Sequence, residues 1–167
     1  MPEGQKINFM QIALDCAKTA AQLGEVPVGA VIVHQGQVIA TTHNRVETQC
    51  DPTAHAEILA IQKAAALMRE PRLPECDLYV TLEPCPMCAQ AISFARLKNV
   101  YFGAYDPKGG GIDHGPRIFD HKTAMHKPHI TGGFEETQCA ALLKSFFQDL
   151  RNGDNLSKNT ASPHETI

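Results

Sequence analysis

A histidine at position 55 and a Cys-x-x-Cys pair at 85 and 88 constrain this chain more than any other feature. The gap of two residues lets both sulfurs reach one ion. Imidazole and thiolate are poor ligands for Mg2+ or Ca2+ and suit borderline-soft Zn2+. Three protein donors with the fourth position left to water are the mark of a catalytic zinc. No fourth protein ligand stands at ordinary spacing, as a purely structural zinc would require. Glu57, two residues after His55, is the proton handler that such a water needs. Whatever the fold, it must carry the segment around His55 to the segment around Cys85.

The local sequence says how. Leu78-Tyr79-Val80-Thr81-Leu82 is a short β-rich run ended by Pro84. Pro86 suits the first turn of a helix, where a missing N–H costs nothing. The helix over about Pro86 to Ala95 then places Cys85 at or near its N-cap and Cys88 in its first turn. A helix N-terminus favours negative charge and so stabilises both thiolates. Asp51-Pro52 reads as an N-cap followed by proline at the first helical position. It opens a helix whose apolar stripe is Ile58, Ile61, Ala65 and Met68. Residues two apart do not share a helix face. His55 and Glu57 therefore serve one ion only if their helix points at it end-on, and two helix N-termini are predicted to meet at the metal.

The other elements follow from periodicity. Phe9, Ile12, Ala13, Cys16, Ala17 and Ala20 mark an amphipathic helix stopped at Gly24. Val28 to Val33 and Val38 to Thr42 are strands joined by a turn at His34-Gln35-Gly36-Gln37. Further strands are expected at Asn99 to Gly103 and His129 to Thr131. Cys139, Leu142, Leu143, Phe146, Phe147 and Leu150 give a final helix. Alternating elements of this kind imply an α/β sandwich around a central sheet. The stretch 105–128 lacks periodicity and is too long for an idle loop. It reads as a mildly basic flap beside the pocket, with Arg117, Lys122 and Lys127 able to meet phosphates.

At 167 residues the chain is one domain with a real core. We place that domain at residues 1–151, followed by a polar, disordered tail at 152–167. The longest apolar run, Val26 to Val33, is too short to span a bilayer. The first residues lack signal-peptide organisation, so a cytoplasmic protein with reduced thiols is expected. Cys16 and Cys139 fall on apolar helix stripes, whereas Cys50 and Cys76 are placed in loops. A net charge of −3 argues against a protein that coats nucleic acid, without excluding a local basic patch.

The His-x-Glu and Pro-Cys-x-x-Cys words together are the signature of zinc-dependent nucleobase deaminases. Beyond them the chain resembles the bacterial tRNA-specific adenosine deaminases, within the cytidine deaminase superfamily, over roughly residues 9 to 150. The resemblance rests on Val26-Pro27-Val28-Gly29-Ala30, His43-Asn44-Arg45, and Asp51-Pro52-Thr53-Ala54-His55-Ala56-Glu57. It continues through Leu78 to Cys88, Phe102-Gly103-Ala104, and Cys139-Ala140-Ala141-Leu142-Leu143. It implies a three-layer α/β/α sandwich with a five-stranded mixed sheet, a homodimer, and one zinc ion per subunit. By the same resemblance His55, Cys85 and Cys88 are the metal ligands and Glu57 the proton shuttle. Asn44, Val28, Ala56, Pro84 and Asp106 are the substrate contacts it implies.

Two stretches depart from the family pattern. Pro107-Lys108-Gly109-Gly110-Gly111 replaces the usual loop after the aspartate, and Gln148-Asp149 follows Phe146-Phe147 where the family is often basic. Three functions remain open at this point. The leading one is deamination of adenosine to inosine at the wobble position of a tRNA anticodon, where an unpaired base avoids most of the cost of unstacking. The second is deamination of a free nucleobase or nucleoside of the guanine, cytosine or cytidine type. The third, a zinc-stabilised binding module, gives Glu57 nothing to do.

Overall fold

The computed structural model describes residues 4–159. Five strands form one sheet: β1 (Gly29–His34), β2 (Gln37–His43), β3 (Cys76–Leu82), β4 (Asn99–Ala104) and β5 (His129–Thr131). Their spatial order is β2-β1-β3-β4-β5. β1 runs antiparallel to both β2 and β3, while β3, β4 and β5 are parallel. The helices are α1 (Phe9–Gln22), the single turn α2 (Val46–Gln49), α3 (Ala56–Met68), α4 (Pro86–Ala95) and α5 (Glu136–Asn159). α4 supplies the crossover that the parallel β3–β4 pair needs.

Helices cover both faces of the sheet. On one, Ile32, Leu78, Val80, Val100 and Phe102 pack against Ala60 and Ala64 of α3 and Ile92 of α4. On the other, Val31 and Val33 meet Met10, Ala13 and Leu14 of α1 and Cys139 of α5. This is the three-layer sandwich with a five-stranded mixed sheet. β1 is an interior strand, between β2 and β3, and both its faces are buried, which explains its unbroken apolar run. Gly29 permits the closest layer contact, because a Cβ there would collide with the backbone of Ala13 and Ala17 on α1.

Several local expectations need correction. Asp51 does not cap a helix. Its Oδ1 accepts from the backbone N–H of Thr53 (2.8 Å) and from Thr53 Oγ1 (2.7 Å). That Asx-type turn uses up the side chain, so Pro52 starts a turn and the helix begins at Ala56. Cys76 is not in a loop; it is the first residue of β3 and fully buried. The last helix runs on to Asn159, so residues 152–159 of the expected tail are helical. The rest of that tail lies outside the described residues.

Candidate metal centre and active site

α3 and α4 begin at one place. Their N-caps are His55 and Cys85, and neither side chain caps its own helix. Both are turned instead toward each other. His55 Nδ1 lies 3.6 Å from Cys85 Sγ and 3.6 Å from Cys88 Sγ. A tetrahedral zinc with bonds of about 2.3 Å to sulfur and about 2.05 Å to nitrogen requires an N···S separation of about 3.6 Å. The donor set therefore fits zinc in both chemistry and spacing, and it is the only such cluster of three among the described residues. The two helix N-termini meet at the donor set, as the two-residue spacing of His55 and Glu57 requires. Cys85 occupies the N-cap position of α4, Pro86 opens the helix, and Cys88 stands in its first turn.

The three donors also share protons with one another. The hydrogen bond from Cys88, helped by His55, holds the Cys85 thiol down at about 4 against the effect of burial. Cys88, which keeps the shared proton and is itself buried, is pushed up. A metal displaces such protons when it binds. Glu57, 4% exposed, sits in the first turn of α3 beside Cys88. Burial pushes its carboxyl above the ordinary value, more than the hydrogen bond from Cys88 lowers it. A carboxyl shifted toward neutrality is better matched to moving protons than one at its solution value.

A cavity of about 620 Å3 opens over this centre, within the range of small-ligand sites. His55, Glu57 and Cys85 line it, together with Val28, Asn44 and Asp106. Asn44 is held from behind: its Oδ1 accepts the Ala56 N–H at 2.9 Å. That bond fixes the amide orientation and leaves Nδ2, which has no hydrogen-bond partner among the described residues, for a ligand. Ala56 and Pro84 do not line the cavity. Ala56 is fully buried with its N–H given to Asn44, and the Pro84 carbonyl accepts from Gly111. Asp106 divides its work, since its Oδ1 also accepts the N–H groups of Lys108 and Gly109.

The flap at 105–128 is built rather than loose. Glu83, buried to 2% exposure, accepts backbone N–H groups from Asp106, Ile112, Asp113 and His114. His114 Nδ1 lies 2.7 Å from the same carboxylate. Arg117 and Lys127 pair with Asp120 at the surface, and neither they nor Lys122 line the cavity. Glu25, 1% exposed, plays a similar part on the opposite wall. Its carboxylate accepts from Glu47 N, Thr48 N and Thr48 Oγ1 at the start of α2. Both acids escaped notice in the sequence. Each is a lone carboxylate against an apolar run, and full burial of such a residue signals a dedicated set of donors.

Residues 3–104 match the family described as the cytidine and deoxycytidylate deaminase zinc-binding region. A tRNA-specific adenosine deaminase of Agrobacterium fabrum is 47% identical over 90% of this chain and 99% of its own length. A chain from a structural study of A-to-I editing by tRNA:A34 deaminases at the wobble position of transfer RNA is 50% identical. It superposes with a TM-score of 0.80 over 81% of this chain and 98% of that one. A guanine deaminase from Bacillus subtilis is more distant, at 30% identity and a TM-score of 0.57 over 96% and 100% of the two chains. With the zinc-matched donor set and the buried glutamate beside it, these relationships make the chain a zinc-dependent hydrolytic deaminase belonging to the tRNA-specific adenosine deaminase family.

Proposed function

We propose that this protein deaminates adenosine to inosine at the wobble position of a tRNA anticodon, releasing ammonia. One observation carries the chemistry: His55, Cys85, Cys88 and Glu57 converge where two helix N-termini meet beneath an open cavity. His55, Cys85 and Cys88 hold one zinc ion. Bound there, zinc supplies Lewis acidity that makes water nucleophilic near neutral pH. Glu57 takes the two protons of the attacking water in turn, passing the first to the ring nitrogen and the second, taken from the added hydroxyl, to the amine that departs as ammonia. Val28 gives the base an apolar wall. Asn44 offers its Nδ2 donor to the nucleoside, while Ala56 acts by fixing Asn44. Pro84 and Asp106 shape the flap side of the cavity.

Asn44→Ala removes both the ligand donor and the acceptor for a buried N–H. The expected loss in kcat/KM is tens-fold, equivalent to about 2 kcal/mol, with zinc content unchanged. Steady-state kinetics and metal analysis check this together.

Free-base deamination is the second reading. It draws support from Arg117 and Lys127, which pair with Asp120 and do not line the cavity. The deciding experiment offers the zinc-loaded protein an anticodon stem-loop with adenosine at the wobble position, and separately guanine, cytosine and free nucleosides. Inosine in the RNA supports the proposal. Ammonia from a small substrate alone transfers the same chemistry to the second reading.

The working form is a homodimer acting in the cytoplasm, with residues 1–151 as the deaminase domain. Leu67 of α3, Phe94 of α4 and Met125 are 64%, 70% and 82% exposed, and Ser93 bonds to the His126 carbonyl, which brings the last two segments together. Exposed apolar side chains grouped in this way mark a protein-binding surface. Phe94→Glu is expected to convert a dimer to a monomer in sedimentation velocity. An unchanged dimer would place the interface elsewhere.

A further inference from the structure

A second cavity, of about 660 Å3, lies at the other end of α1 from the metal centre. Phe9, at the start of α1, lines it, whereas Gly24 and Glu25, just past the end of α1, line the first cavity. Fourteen helical residues separate the two, a distance of about 21 Å. Its wall is an aromatic cluster. Tyr79 and Tyr101, register partners on β3 and β4, stack with centroids 4.6 Å apart and planes at 18°. Phe134 stands edge-on to both, and Phe9 tilts against Tyr79 at 5.2 Å.

Glu135 lines the same cavity. Its Oε1 accepts from Asn8 Nδ2 at 2.6 Å. Its Oε2 is buried and lacks any hydrogen-bond partner, the only side-chain oxygen or nitrogen of that kind among the described residues. The great majority of buried polar atoms have a partner, and leaving one without is costly. Glu135 as a whole is only partly buried, so a small rotation of its carboxylate would bring Oε2 to the cavity and to a donor from outside the protein. The exposed Lys6 also lines the cavity, beside the N-terminal end of α1, and both favour an anionic group. A simple amine would satisfy Glu135 but be repelled by Lys6 and the helix end. A flat ring bearing N–H donors and carrying a phosphate satisfies all three features, with base–aromatic contact as the apolar part.

We propose that this cavity is a second nucleotide site. A purine packs on the aromatic cluster, gives an N–H to Glu135 Oε2, and directs its phosphate to Lys6. The deamination chemistry makes no use of the site. The nucleotide comes either from the free pool or from a distal part of a bound RNA.

The test uses the full-length zinc-loaded chain, with Glu135→Gln and Phe134→Ala as variants. Thermal melting and turnover of a short anticodon stem-loop verify that each is folded. GMP is titrated by calorimetry, and KM is measured for the stem-loop and for intact tRNA. We expect GMP to bind the wild type and to bind both variants at least about tenfold more weakly, about 1.4 kcal/mol, with both KM values unchanged; this assigns a free nucleotide. Failure of GMP to bind, with a rise in KM for intact tRNA alone in both variants, assigns a nucleotide within the RNA. The proposal is overturned if GMP binding is insensitive to Glu135→Gln, if spermidine binds the cavity in its place, or if neither GMP binding nor KM responds. The GMP arm does not depend on RNA deamination, so its result stands apart from the fate of the function proposed above.

Discussion

Glu57→Ala is expected to keep one zinc ion per chain and to lose at least about a thousandfold in turnover, in the upper range for removal of a general acid–base group. The two effects separate because the residue stands beside the donor set without belonging to it. Nδ1 of His55 and the two sulfurs supply three donors at zinc spacing, and Glu57 is not one of the three. Zinc should therefore stay. Turnover should not, because among the described residues the other buried carboxylates at the cavity are held by backbone donors. Glu83 is saturated by the flap and Glu25 by α2, while Asp106 has one oxygen engaged by its own turn and does not belong to the donor cluster. Metal analysis and inosine formation on the same sample check this. Zinc loss in the variant would make Glu57 a ligand, and near-normal turnover would remove it from the mechanism.

Much of the site was legible in the sequence because ligand spacing and helix-start chemistry are local. Cys85-Pro86-Met87-Cys88 specifies its own N-cap and first turn, and α4 runs over Pro86–Ala95 as read. The prediction that His55 and Glu57 must meet the metal end-on needed only the pitch of a helix. The start of α3 was misplaced because Asp-Pro serves turns and helix starts alike, and the choice was made by the Thr53 donors. The roles of Glu25 and Glu83 were hidden for a different reason. Their partners lie 22 to 31 residues away in sequence, and no local pattern announces a donor at that range. Asp120, within seven residues of both Arg117 and Lys127, pairs with each at the surface, a contact that composition alone does not announce.

Replacing Glu83 by leucine should cost on the order of 3–5 kcal/mol, the scale for removing one side of a buried charged network. Four backbone N–H groups and the His114 ring converge on this carboxylate, and the variant would leave them without an acceptor. The damage should reach the cavity, since Asp106 and Gly109 form part of its wall. The flap also lies directly on α4, where a Cβ at Gly111 would meet the backbone of Cys85 and Pro86. We expect KM to rise more than kcat falls, because zinc and Glu57 are held by other elements. Stability should become less dependent on acid as well. Burial alone would raise the Glu83 carboxyl, but the His114 ring and the backbone donors outweigh it and hold it below the ordinary value. Glu25 is lowered in the same way, its Thr48 and Glu47 donors overcoming burial. A carboxyl whose folded value is depressed contributes stability that is complete above the unfolded value of about 4.3 and is lost as pH falls through the folded value. Wild type should therefore weaken as pH drops below about 4. Glu83→Gln, less stable at pH 7, should lose less on the same descent. Urea midpoints at pH 7 and pH 3.5 measure the difference, and equal losses in the two proteins would remove Glu83 from the acid response.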